Sequence, residues 1–228
     1  MKKWENHICS KCDFLFCISK NDQVYFNKKI NKKIEILPVS FSIKKRRKPN
    51  GFSIFHLGSM DWKPNIEGIN WFLNKVWFSN LNKVKSLKLY LAGKNMPLFL
   101  QNKTTNSLII EGMIDDSQVY MKEKSVMIVP IFSGSGIRIK ILEGMAMGIP
   151  ILSTKKGAQG IDYENRKDII ICNNEIDFIK SIKDLQNDKD LFYKISLGGQ
   201  NLIKKYFSSE IVIKNWKKLI YEVSNNNT

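Results

Sequence analysis

The residues with the clearest chemical capacity fall between Phe132 and Pro150, in the stretch FSGSGIRIKILEGMAMGIP. Ser133-Gly134-Ser135-Gly136 lets the backbone turn sharply and leaves its N–H groups uncovered. A helix follows, with Ile141, Leu142, Met145 and Ala146 on one face, and Gly148 and Pro150 end it. A glycine loop that opens a helix is an anion site, because unpaired N–H groups and the helix dipole both favour negative charge there. Arg138 and Lys140 add two cations at the same end. Lys140 and Glu143 stand three residues apart, together on the face away from the apolar stripe. A carboxylate one turn into the helix does not bind phosphate, but it accepts hydrogen bonds from sugar hydroxyls. Diphosphate beside ribose describes a nucleotide-sugar. Without a ligand the same loop is a plain structural turn, because glycine-rich loops before helices are common.

The elements around this stretch must bring it to a cleft. Val126 to Pro130 (VMIVP) has the character of a buried parallel strand. Phe52 to Leu57, Leu87 to Ala92, Leu108 to Ile110, Ile149 to Ser153 and Asp168 to Cys172 read as further strands. Helical patterns lie between them. Pro64 suits a first turn, and Ile66, Ile69, Phe72, Leu73, Val76 and Trp77 then repeat at helical spacing as core residues. Three helices are expected from about Glu175 to Asn225, with breaks near Asp188 and Phe207–Ser209. Strand alternating with helix predicts an α/β, Rossmann-like parallel sheet with helices on both faces. Ligands of such sheets bind at the carboxyl ends of the strands. Three candidate loops sit there: Gly58 to Asn65, Ser133 to Arg138, and Thr154 to Gly160.

Ahead of this domain, residues 1–12 read as a helix or a ragged end, followed by a strand at Asp13–Ile18. Ser19, with Asp22 three residues on, reads as a helix N-cap, and the helix runs to about Lys28. Lys33 to Leu37 is another strand. The expected division is residues 1–40 as a short remnant of another domain, 41–50 as a basic linker, and 51–228 as the main domain with its carboxyl-terminal helices.

Composition narrows the class. The chain has 228 residues, 43% of them apolar, which is enough to bury a core rather than stay disordered. No apolar run is long enough to span a bilayer, and no signal core opens the chain, so the expected compartment is cytoplasmic. Lys and Arg number 37 against 21 Asp and Glu, a net charge of +16. The lysines are scattered except for Lys44-Lys45-Arg46-Arg47-Lys48, which reads as a solvated linker or as a patch for an anionic membrane surface. Nucleic acid is not expected, since no aromatic-plus-basic motif accompanies the charge. His7, Cys9, Cys12 and Cys17 could form a zinc set. Phe14 to Ile18 reads as a buried strand that carries Cys17 into a core, so buried thiols are the expectation.

Taken together, HLGSMDWKPNIEGINWF, YLAGKNMP, EGMIDD and VPIFSGSGIRIKILEGMAMGIPILSTKKGAQGI resemble the group 1 (family 4) glycosyltransferases, in order and spacing. The resemblance runs through the carboxyl-terminal half of that family's GT-B fold and covers roughly residues 10 to 225. It implies a domain that binds a nucleoside-diphosphate sugar as donor substrate, with retention of anomeric configuration and no metal or other cofactor. On that resemblance Glu143 holds the ribose hydroxyls. The N–H groups around Gly134, Ser135, Gly136 and Ile137 hold the diphosphate with Arg138 and Lys140, the two residues expected to be catalytic through the charge of the leaving group. Gly58, Lys63 and Asn65 face the donor from below, and Thr154 belongs to the third loop at its edge.

Two departures follow. Many members carry two Glu separated by seven residues, and here the first of the pair is Ser135. Only the tail of the first GT-B domain is expected in residues 1–40, so the acceptor, a saccharide or a lipid-linked one, needs a surface from a separate chain or domain. Peripheral attachment at the inner membrane face accompanies that expectation. The competing readings are a remnant that binds nucleotide without transferring sugar, a basic membrane-surface adaptor, and a sugar-nucleotide epimerase. The last needs acid–base groups in the cleft, and His7 and His56 are the only histidines.

Overall fold

The computed structural model describes residues 2–46 and 51–225. Residues 47–50 of the expected 41–50 linker, and with them Arg47 and Lys48 of the basic run, therefore lie outside the described residues.

The chain begins with helix α1 (Lys2–Lys11), strand β1 (Leu15–Cys17), helix α2 (Lys20–Asn27) and strand β2 (Ile34–Ile36). The two strands pair in parallel, Leu15 opposite Ile34. Ser19 caps α2 as its spacing predicts, its Oγ accepting from the Asp22 N–H at 3.3 Å. The expectation of a buried strand at Phe14–Ile18 is corrected: Cys17 is buried, but Phe14, Phe16 and Ile18 are 41–50% exposed. A two-stranded sheet offers too little surface to cover both faces. Trp216 packs edge-on against Phe16, ring centroids 5.4 Å apart, so the last helix covers part of the open face.

The main domain holds six parallel strands. They are β3 (Ser53–Leu57), β4 (Lys88–Ala92), β5 (Leu108–Gly112), β6 (Val126–Val129), β7 (Ile151–Ser153) and β8 (Ile170–Ile171). Their order is β5-β4-β3-β6-β7-β8. The chain moves outward from β3 to one edge, returns to β6 and moves to the other edge. The reversal lies between β3 and β6, where a crevice opens above the strand ends.

Alternation along each strand divides the core. Ile54 and Ile128 face helix α3 (Lys63–Phe72), its π-helical continuation Leu73–Leu81, and helix α7 (Glu175–Asn187). Phe55, Met127 and Val129 face helix α6 (Ile139–Ala146) and helix α8 (Lys189–Tyr206). Short helices α4 (Leu98–Gln101) and α5 (Ser117–Lys122) precede β5 and β6, and α9 (Ser209–Asn225) closes the described chain. The π-helical turn is not foreseen by a 3.6-residue period. Leu73, Val76, Trp77 and Leu81 along it are all fully buried.

The segment before the main domain is held along its course. The Phe41 N–H donates to the Phe207 carbonyl at 2.7 Å and the Lys44 N–H to the Ala146 carbonyl at 3.0 Å. Arg46 donates through Nη2 to the carbonyls of Lys124 and Ser125, at 2.8 and 3.1 Å. Burial lowers its pKa to about 10, whereas Lys44 and Lys45 are exposed.

Candidate functional site

Loop 130–138 leaves β6 and enters α6, and Gly134 and Gly136 hold φ of +91° and +85° within it. A Cβ at Gly134 would stand 2.6 Å from Cζ2 of Trp62, so both backbone angle and space require glycine there. Arg138 occupies the N-cap position of α6 without capping it by its side chain. The first N–H groups of α6 therefore keep their capacity for an anion. The guanidinium folds back on its own loop. Nη1 donates to the carbonyls of Ser135 at 2.7 Å and Gly136 at 2.9 Å. Its plane lies 4.4 Å from the Trp62 ring centroid. Nε and Nη2 are buried without a hydrogen-bond partner, and burial holds the guanidinium below its ordinary pKa. Unsatisfied buried donors on a cation are an anion's binding capacity left unspent.

One turn into α6, Glu143 is engaged by both oxygens. Lys140 Nζ donates to Oε2 at 2.6 Å and Ser117 Oγ to Oε1 at 3.1 Å. The lysine–glutamate pairing foreseen from their spacing is thus present, and Ser117, from the start of α5, joins it.

A cavity of about 400 Å³ opens between the ends of β3 and β6. It brings together Gly58, Asn65, Ser135, Ile137, Arg138 and Lys140 of the sequence-derived set. Asn65 is buried, and its Nδ2 donates to the Ser59 carbonyl at 2.7 Å, closing the turn after Gly58. Gly134, Gly136 and Glu143 flank this cavity without lining it. Two expected residues lie elsewhere. Lys63 points to solvent, its side chain 85% exposed and 3.6 Å from Glu67. Thr154 turns into the core, donating to the Ile131 carbonyl and accepting from the Gly157 N–H, so its hydroxyl serves the loop itself.

The sequence reading missed three participants. Trp62 covers Arg138, Ser117 holds Glu143, and His56, which the sequence did not place in the cleft, lines the cavity. Nδ1 of His56 lies 3.0 Å from the Ile128 carbonyl, which assigns the proton to that nitrogen. Nε2 has no partner, and burial pushes the pKa down to about 4. The ring is neutral at physiological pH and cannot serve there as the acid an epimerase needs. Its position two residues before Gly58, at a strand's carboxyl end, is the signal that could have found it.

A six-stranded parallel sheet with helices on both faces, and a switch-point cleft with a glycine loop at a helix start, is the architecture of the carboxyl-terminal half of a GT-B fold. The chain matches the family described as Glycosyl transferases group 1 over residues 51–188, more than half its length, and it belongs to that family. An uncharacterized 44.6 kDa protein in the cps region of Klebsiella pneumoniae is 22% identical over 169 residues, 70% of this chain and 44% of that one. TarM from S. aureus, solved with fondaparinux, alpha-GlcNAc-glycerol and UDP, superposes with a TM-score of 0.79 at 15% identity, over 96% of this chain and 46% of its own. HepE from Anabaena, solved with UDP and glucose, gives 0.73 at 13% identity, over 98% of this chain and 67% of its own. The structural likeness establishes the fold. The chain spans less than half the length of the Klebsiella protein and of TarM.

Proposed function

We propose that this chain is the donor-binding half of a glycosyltransferase, holding a nucleoside-diphosphate sugar across the carboxyl ends of β3 and β6. The observation that carries the reading is the Arg138 guanidinium, with two buried nitrogens, Nε and Nη2, unpartnered beside an uncapped helix start. The diphosphate takes the N–H groups of Gly134 to Ile137. Arg138 and Lys140 stabilise the charge that grows on it as the glycosyl bond breaks. Glu143 accepts from the ribose hydroxyls while Ser117 keeps it oriented. The bond from the anomeric carbon to the diphosphate oxygen breaks with its electron pair leaving on the diphosphate. The acceptor hydroxyl oxygen bonds to that carbon on the same face, and its proton passes to the departing diphosphate. Configuration is retained, and no metal or other cofactor takes part.

The other face of the cleft comes from a separate acceptor domain or partner chain, which supplies most of the surface for a saccharide or lipid-linked acceptor. We place the work in the cytoplasm, at the inner membrane face. No helix among the described residues is long and apolar enough to cross a membrane, and the net charge of +16 supports peripheral attachment to an anionic surface. Flotation with anionic vesicles tests this, and a chain that stays at the bottom of the gradient contradicts it.

Both TarM and HepE were solved with UDP, so UDP is the first probe. Calorimetric titration with UDP, GDP and their sugars should show selective binding that weakens in Glu143→Ala. A folded chain that binds none of them overturns the donor assignment and favours the basic adaptor. Donor binding without transfer, once an acceptor half is supplied, identifies the inactive remnant.

A further inference from the structure

A second cavity, about 530 Å³, lies on the other side of the glycine loop, between Phe132 and the loop that follows β7. Its volume falls within the range of small-ligand sites, about 300–1,000 Å³. It adjoins the donor loop directly: a Cβ on Gly160, in its wall, would lie 3.4 Å from Cβ of Ile137. Asn21, in the first turn of α2, closes it from the small sheet. The donor reading assigns no ligand to this space.

Its lining has a definite chemistry. Phe132 and Tyr163 supply aromatic surface. Phe132 stays 45% exposed although Trp71 holds it, ring centroids 4.7 Å apart. Gln159 and Asn173 supply amides. Asn173 Oδ1 accepts from the Lys155 N–H at 3.0 Å, which fixes the wall, while Gln159 Oε1 has no hydrogen-bond partner. Lys155 and Lys156 stand in the lining, and among the described residues no acid does. Among the described residues neither lysine is ion-paired. Two unpaired cations over an apolar floor with amides at the side suit a ring that carries hydroxyls and a negative charge.

We infer that this cavity is the acceptor subsite of the chain and that the acceptor is a saccharide bearing an anionic substituent, a carboxylate or a phosphate. The name acceptor rests on the donor reading proposed above; recognition of an anionic saccharide does not. Aromatic faces take the ring, the amides take hydroxyls, and Lys155 and Lys156 take the charge. The occupant lies against the loop that the donor reading assigns to the diphosphate.

The test is an NMR amide titration of the full chain with D-glucuronate, glucose 6-phosphate, glucose and inorganic phosphate, at low and high salt. UDP is titrated into the same samples, and all are repeated on the Lys155→Ala/Lys156→Ala double variant. Expected are shifts at Gly157, Gln159 and Asn173 with an acidic sugar, roughly tenfold tighter than with glucose and weakened by salt. The double variant should bring acidic sugars to the level of glucose and leave UDP binding unchanged. Glucuronate against glucose 6-phosphate tells which anion is preferred. The inference is overturned if glucose binds as tightly as the acidic sugars, if phosphate alone binds as tightly as they do, or if the double variant changes nothing. Absence of shifts in a folded sample overturns it whatever UDP does. Acidic-sugar binding without UDP binding overturns the donor reading and leaves the anionic-saccharide site standing.

Discussion

Gly68 sets two forces of opposite sign against each other. It lies inside α3, where Gly→Ala ordinarily stabilises a helix by about 0.5–1 kcal/mol. Here an added Cβ would stand 2.9 Å from the Pro130 carbonyl carbon, nearer still to its oxygen, and 3.6 Å from Ile131 Cα. All three are backbone atoms, so no side chain can rotate out of the way. Restoring ordinary contact means moving α3 off the end of β6, against a core in which Ile69 and Phe72 are fully buried. Such overpacking costs about 1–3 kcal/mol. Contact this close with backbone belongs in the upper part of that range, about 2–3 kcal/mol, so with the helical gain subtracted Gly68→Ala should lose about 1–2.5 kcal/mol, a fall in Tm of roughly 2–10 °C for a chain of this size. The same displacement carries Trp62 and Asn65 away from Arg138 and Gly58, so nucleotide affinity should fall as well. Gly144→Ala is the control. Its Cβ would meet only Ile151 Cδ1 and Met127 Cε at 3.0 Å, the movable ends of side chains, so its Tm should barely change. Thermal unfolding followed by circular dichroism reads both. A Tm for Gly68→Ala equal to or above the wild type would refute the reasoning, because propensity would then have outweighed contact.

Arg138→Ala removes the two hydrogen bonds that pin the loop and the cation beside the helix start. Charge-assisted hydrogen bonds of about 1.5–3 kcal/mol make that a loss of roughly ten- to a hundredfold in UDP affinity by calorimetry, and an unchanged affinity would exclude Arg138 from the site. Lys140→Met should weaken UDP but not uridine, since the ammonium serves phosphate and its removal leaves Glu143 free for ribose; equal losses for both ligands would show a purely structural lysine. His56 gives a pH dependence with a definite sign. Its folded pKa of about 4 lies below the ordinary 6.5, so the unfolded chain takes up the proton first. Its contribution is complete above about pH 6.5 and drains by about 1.4 kcal/mol per pH unit as pH falls toward 4. Urea midpoints of His56→Gln should therefore change less between pH 7 and pH 5 than those of the wild type, and parallel curves would contradict the buried neutral ring.

Much of the fold was legible because local signals and tertiary packing agree. VMIVP is buried at every residue of β6, Ser19 caps α2, and the last three helices break at Asp188 and Phe207 as their polar interruptions suggest. The π-helical turn was not legible, since a hydrophobic repeat does not distinguish one wide turn from several ordinary ones. Phe14 to Ile18 misled because an apolar strand states a capacity for burial, not the presence of a covering layer. The site shows the same limit. The glycine loop, Arg138, Lys140 and Glu143 lie within ten residues and could be read as a unit. Trp62, Ser117 and His56 reach them only because β3 neighbours β6 and α5 lies beside α6, which no local pattern states.

The engagement of Glu143 bears directly on how one helix start could serve two parts of a ligand. Its Oε2 meets Lys140 and its Oε1 meets Ser117, yet a carboxylate offers about four lone-pair sites and these two bonds occupy two. The remaining pair suffices for two ribose hydroxyls. The lysine side chain is 36% exposed, so the ion pair is partly screened and holds the ammonium only weakly. On the donor reading proposed above, a diphosphate arriving over the loop would compete for that ammonium with greater charge. The arrangement then divides its labour by side-chain length: the short carboxylate stays with Ser117 against α5, and the long lysine swings toward the anion. Arg138 needs a comparable release, from its own loop carbonyls and from Trp62. Both cations are thus held on internal partners in the unliganded loop, although Nε and Nη2 of Arg138 stay unpartnered, and their release would cost part of the binding energy of a diphosphate.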